Sequence, residues 1–63
     1  MVELLTKPKY VLCVRHDPTS RLVSVEFDDF NFAKVEGQAF ANDYWYGNIW
    51  IEQDGKVLET IRG

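Results

Sequence analysis

The chain alternates apolar and polar residues in two stretches, each bent around a strong turn signal, and between them lies a stretch of helical spacing. At 48–61 the run Asn-Ile-Trp-Ile-Glu-Gln-Asp-Gly-Lys-Val-Leu-Glu-Thr-Ile reads as a β-hairpin with Asp54-Gly55 at its tip. A type I′ turn needs positive φ at both central residues, which Gly adopts freely and Asp tolerates. A two-residue turn sets the register: Gln53 opposite Lys56, Glu52 opposite Val57, Ile51 opposite Leu58, Trp50 opposite Glu59, Ile49 opposite Thr60. Alternation then groups Ile49, Ile51, Leu58 and Thr60 on the expected core face, and Trp50, Val57 and Ile61 beside Glu52 and Glu59 on the other.

The first hairpin is built the same way. Lys9–His16 is rich in β-formers, Asp17-Pro18-Thr19-Ser20 suits a type I turn because Pro presets φ at its second position, and Arg21–Phe27 returns. The loop places His16 opposite Arg21, Val14 opposite Val23, Leu12 opposite Val25 and Tyr10 opposite Phe27, all on one side. Val11, Cys13, Arg15, Leu22, Ser24 and Glu26 take the other. Residues 1–8 are a lead-in in which Pro8 suits a strand start and Leu4 and Leu5 are candidates to cover the sheet edge.

Between the hairpins a helix is expected from about Phe30 to Asp43. Asp28, Asp29 and Asn31 are possible N-caps, Phe32, Val35, Ala39 and Phe40 fall at helical spacing, and Gly37, which costs about 1 kcal/mol relative to Ala, implies close packing. Asn42 or Gly47 could supply a left-handed C-cap. The rival reading, a third strand over Phe30–Glu36, would make an all-β small barrel, but Ala33 and Val35 break its alternation. The favoured architecture is α+β, in the order ββαββ: a four-stranded antiparallel sheet, strand order 2-1-3-4, with one helix packed on one face.

Sixty-three residues make one small domain, near the size at which core burial only just exceeds ordering entropy. A hydrophobic fraction of 46% with 14% aromatic argues against disorder. The single cysteine, Cys13, excludes an internal disulfide and fits a reducing compartment. No apolar run approaches the ~20 residues needed to span a bilayer, and the N-terminus lacks a signal-peptide layout, so a cytoplasmic location is expected, away from membranes.

Charge changes the picture more than composition does. Residues 1–25 carry Lys7, Lys9, Arg15 and Arg21 against Glu3 and Asp17, or +2; residues 26–54 carry Lys34 against Glu26, Asp28, Asp29, Glu36, Asp43, Glu52 and Asp54, or −6; the rest add +1, giving −3 in all. A strongly acidic middle opposes a phosphate-backbone binder, which needs a basic stripe, and favours a basic partner.

No catalytic constellation emerges. His16 beside Asp17 has no evident nucleophile, and neighbours on a strand point to opposite faces. Cys13 has no helix N-terminus or cationic cluster to activate it. One His and one Cys do not meet zinc spacing, the acids match no Ca²⁺ loop, and the glycines are isolated. No enzyme, metal or cofactor is therefore expected. The aromatic group Tyr44, Trp45, Tyr46 and Trp50 carries the functional reading. Three consecutive rings cannot all face one core, and Trp and Tyr are the usual hot-spot residues of interfaces.

The expected function is a non-enzymatic protein-binding module, its partner-binding residues Tyr44, Trp45, Tyr46 and Trp50 helped by Asp28, Asp29, Glu36 and Asp43. As an analogy of fold alone, tiny acidic ββαββ chains occur among phage and mobile-element proteins that inhibit host nucleoprotein machinery, anti-CRISPR inhibitors included. An acidic surface can occupy a basic channel built for nucleic acid. The rivals are a self-associating structural subunit, as a homodimer through the Trp50/Val57/Ile61 face or a sheet edge, and a single-stranded nucleic-acid binder, which the charge opposes.

Overall fold

The structure is a computed structural model and describes residues 9–63; the readings placed on Pro8, Leu4 and Leu5 fall outside that range. Five elements follow in the order β1 (Tyr10–Arg15), β2 (Val23–Phe27), α1 (Phe30–Ala41), β3 (Asn48–Gln53) and β4 (Lys56–Arg62). The strands form one antiparallel sheet in the order β2-β1-β3-β4, with α1 on one face and, among the described residues, both edges of the sheet unpaired. It does not close into the alternative barrel.

The first hairpin keeps the register its pattern implies, with Tyr10 opposite Phe27, Leu12 opposite Val25 and Val14 opposite Val23. The ladder stops there, so His16 and Arg21 do not pair. The turn is tied instead by Asp17. Its carboxylate accepts hydrogen bonds from the Thr19 backbone N–H (2.9 Å), the Thr19 hydroxyl (2.6 Å) and the Ser20 hydroxyl (3.0 Å), while the Ser20 N–H closes on the Asp17 carbonyl at 2.9 Å. The Thr19 and Ser20 bonds hold the Asp17 pKa below its ordinary value, because each favours the charged form.

The second hairpin turns as expected, with φ of 53° at Asp54 and 81° at Gly55, but its register does not survive. Gln53–Lys56 and Glu52–Val57 pair as the turn requires. Irregularities then shift the ladder to Ile51–Glu59, Trp50–Thr60 and Ile49–Arg62. A bulge adds a residue to one strand and increases local twist. As a result Leu58 and Thr60, expected in the core, are exposed. Glu59 comes opposite the buried Ile51 and meets Lys34 of α1 at 3.4 Å. Ile61, expected on the far face, packs against the core.

Helix α1 begins at Asp29, whose side chain accepts the Phe32 N–H at 2.9 Å and so satisfies one of the orphan donors of the first turn. Its buried positions are Ala33 and Gly37, with Phe30, Phe40 and Ala41 partly buried. Phe32 and Val35, expected on the core face, are exposed. The small residues decide the rotation, because only they let the helix settle close to the sheet. A Cβ at Gly37 would fall on Ile61 Cδ1 and lie 3.2 Å from Leu12 Cδ1. The core beneath is Leu12, Val14, Ala33, Ile49 and Ile51.

The helix ends at Ala41, two residues short of the expected Asp43, and its cap Asn42 is right-handed (φ −69°, ψ −16°). No left-handed residue is needed because Arg62, at the end of β4, supplies donors from outside. Its guanidinium donates to the carbonyls of Ala41, Asp43 (3.1 Å) and Tyr46 (2.8 Å). A cation at this end also complements the helix dipole. Among the described residues no helix is long and apolar enough to cross a membrane.

Candidate partner-binding surface

Residues 42–47 join α1 to β3 and carry three aromatic rings, which the backbone divides between core and solvent. Tyr46 is half-buried and edge-on to Phe40 at 5.1 Å, closing that end of the core. Tyr44 is 90% exposed and Trp45 55%. The expectation that at least one ring lies at the surface is met by two.

Trp45 is nonetheless held. Its backbone N–H donates to Asp43 Oδ1 at 3.0 Å. Its ring stacks on His16 at 4.5 Å and 25° and meets Tyr46 edge-on at 5.0 Å. Its carbonyl lies 2.5 Å from His16 Nδ1. A carbonyl only accepts, so the proton sits on Nδ1. The loop is drawn against β1 by the Gly47 N–H, which donates to the His16 carbonyl at 2.9 Å. A Cβ on Gly47 would lie 2.5 Å from that oxygen, so this crossing requires glycine. Arg62 fixes the loop from the other side, and its guanidinium lies 5.2 Å over the Tyr44 ring, within cation–π range.

Two of the expected acids join this end. Glu36, Ala39, Phe40, Asp43 and Tyr46 line a shallow hollow of about 300 Å³, apolar at its floor and flanked by two carboxylates. Asp43 accepts one bond from Trp45, and Glu36 has no ion pair or hydrogen bond among the described residues. The remaining expected residues lie elsewhere. Asp29 is the N-cap, a helix length away, or ~18 Å for twelve residues at 1.5 Å each. Asp28 lines a separate hollow with Lys9, Glu26, Phe27 and Phe32. Trp50 sits between the buried Ile49 and Ile51 on β3 and therefore points to the face opposite the helix. There the Arg15 guanidinium covers it at 5.1 Å and its indole N–H donates to Glu52 at 2.7 Å. The eight candidates thus resolve into one cluster of Glu36, Asp43, Tyr44, Trp45 and Tyr46, with Trp50, Asp28 and Asp29 apart from it. Of the Trp50/Val57/Ile61 patch, Trp50 and Val57 line one hollow with Arg15 and Thr60, while the shifted β4 register sends Ile61 to the helix side.

His16 and Arg62 organise the cluster and were not among the expected site residues. Their partners lie 29 residues away for His16 and 16–21 for Arg62, beyond any local pattern. Cys13 is buried in the central strand. Burial, seconded by the Glu52 carboxylate and opposed by a Ser24 hydrogen bond, pushes its thiol pKa up, which keeps it protonated and unreactive. Among the described residues no three His, Cys, Asp or Glu side chains converge as metal ligands do. No family model, curated protein or solved structure matches this chain.

Proposed function

We propose that this protein is a non-enzymatic binding module that docks on a larger basic protein through Tyr44, Trp45 and the hollow between Glu36 and Asp43. The observation that carries this reading is Trp45, a large side chain more than half exposed yet held by two ring contacts, to His16 and Tyr46, and by two backbone hydrogen bonds, with His16 and Asp43. An aromatic side chain already fixed in place loses little conformational freedom on binding, so most of its burial adds to affinity. The flanking carboxylates select a partner bearing Lys or Arg, and a basic surface built for nucleic acid is the natural target. In that role the protein would block or modulate a host nucleoprotein complex in the cytoplasm, in the manner of phage or mobile-element inhibitors of the anti-CRISPR kind. Direct binding of a nucleic-acid strand is disfavoured, since Glu36 and Asp43 would face its phosphates.

The test is an affinity pull-down from host lysate, with and without nuclease, comparing wild type with Tyr44→Ala/Trp45→Ala and with Glu36→Lys/Asp43→Asn. Asparagine keeps the acceptor for the Trp45 N–H while removing the charge. One stoichiometric partner that survives nuclease, is lost with the rings and weakens with the charges supports the reading. A partner retained equally by both variants refutes it.

A further inference from the structure

The two edges of the sheet are treated differently. β4 is bulged and carries Lys56 and Glu59, both established means of blunting an edge against pairing. β2 has an unbroken five-residue register with β1 and contains no Pro, Lys or bulge, its one charge being Glu26. Nothing among the described residues pairs with its outer side. Its helix-side residues Val23 and Val25 are 47% and 40% exposed, because α1 packs chiefly on β1 and β3 and reaches β2 only at its Phe27 end. Phe32 is exposed beside them and leans from the helix to meet Phe27 at 5.4 Å. A regular edge with bare apolar side chains is a template for another strand.

We propose that the occupant is a second copy of this chain, its β2 pairing antiparallel with the first about a two-fold axis at Val25, so that two four-stranded sheets become one of eight. The register follows from the strand itself. Centring on Val25 is the arrangement in which all five residues pair: Val25 with Val25, Val23 with Phe27, Ser24 with Glu26. Side-chain alternation is kept, so apolar residues meet on the helix face. Glu26, already paired with Lys9 at 3.7 Å, faces serine and not a second glutamate. The same register brings Arg21 to the end of the other copy's strand, where Asp29 lies. Arg21 is exposed and has no ion pair or hydrogen bond within its own chain among the described residues. Such an isologous contact closes on itself and stops at two copies. A domain with so small a core is also one for which association is a common source of stability.

The experiment is sedimentation equilibrium from low-micromolar to near-millimolar protein, on wild type, Val25→Lys and Val57→Lys, with circular dichroism to show that each is folded. The expected result is a wild-type mass rising from 7.4 kDa toward twice that. Val25→Lys should stay monomeric, and Val57→Lys, on β4, should dimerise as wild type does. In parallel, Val25→Cys faces its own copy across the axis and should cross-link under mild oxidation several-fold faster than Val23→Cys, which faces Phe27. Wild type, with its thiol buried, should not cross-link. A wild type monomeric throughout, a folded Val25→Lys that associates like wild type, or equal cross-linking at 23 and 25 would overturn the proposal. None of these outcomes depends on the surface around Trp45.

Discussion

The two hairpins share a device, a tight turn between two alternating strands, and differ in what lies above them. The outer strand of the first, β2, runs beyond the cover of α1; it follows its turn faithfully and leaves valines in solvent. The outer strand of the second, β4, passes beneath the helix and abandons the register of its turn after two rungs. The irregularities bring Ile61 against Gly37, Glu59 to Lys34 and Arg62 to the helix C-terminus. A turn sets register only while nothing else competes. Where a strand must also fit a helix, packing and charge pairing on that face outweigh one irregular rung.

Mutations can press on this contrast. The largest effect is expected under the helix: Ile51→Ala should cost about 2–5 kcal/mol by loss of a fully buried side chain, whereas Val25→Ala on the uncovered strand should cost under about 1 kcal/mol, both read by urea unfolding in dilute solution. Comparable losses would mean that β2 is as well covered as β3. Arg62→Ala should cost about 1.5–3 kcal/mol, the range for charged hydrogen bonds, and should also red-shift Trp emission as the 42–47 loop loosens and Trp45 meets more water. Retained stability would show that the shifted end of β4 does not hold the helix terminus.

Gly37→Val should destabilise by about 1–3 kcal/mol through overpacking, and by measurably less in an Ile61→Ala background, since the two side chains compete for one space. Additivity in that double-mutant cycle would remove Ile61 from beneath the helix. At the turns, Gly55→Ala should cost about 1–2 kcal/mol for positive φ alone, because open space surrounds that position.

The smallest effect concerns the first turn and pH. The Asp17 pKa is depressed in the folded state, so its contribution is present above the ordinary aspartate pKa and is lost as pH falls through the lower folded value. Asp17→Asn should therefore lose a little stability at neutral pH, flatten the acid limb of the stability profile slightly, and converge with wild type at a pH below the folded Asp17 pKa. A steeper acid limb in the variant would contradict the hydrogen bonding of that turn.

The helix start and both turns were legible in the chain because each rests on short-range chemistry: positive φ at Asp54-Gly55, Pro18 within an Asp-initiated turn, Asp29 ahead of a helical run; the strand order followed from the helical connection, which returns the third strand antiparallel to the first. The division of Tyr44, Trp45 and Tyr46 was legible only as a necessity that some ring be exposed, not as which. The helix rotation misled because Phe32 and Val35 supply hydrophobicity at the right spacing, while closeness to the sheet is decided by the absence of side chain at Ala33 and Gly37. The cluster around Trp45 was half legible. Its rings and two of its acids stand near one another in sequence, whereas Trp50, on the opposite sheet face, and Asp28 and Asp29, at the far end of the helix, stand apart from it in space.

What the sequence determined by itself is thus the set of elements and their antiparallel connectivity, since turns and caps act over a few residues and do not depend on the rest of the fold. What only the tertiary structure decided is register where two layers meet, the rotation of the helix, and the fixing of Trp45 by His16 and of its loop by Arg62. Those outcomes depend on distances between residues far apart in the chain, and such distances exist only once the sheet and helix have packed.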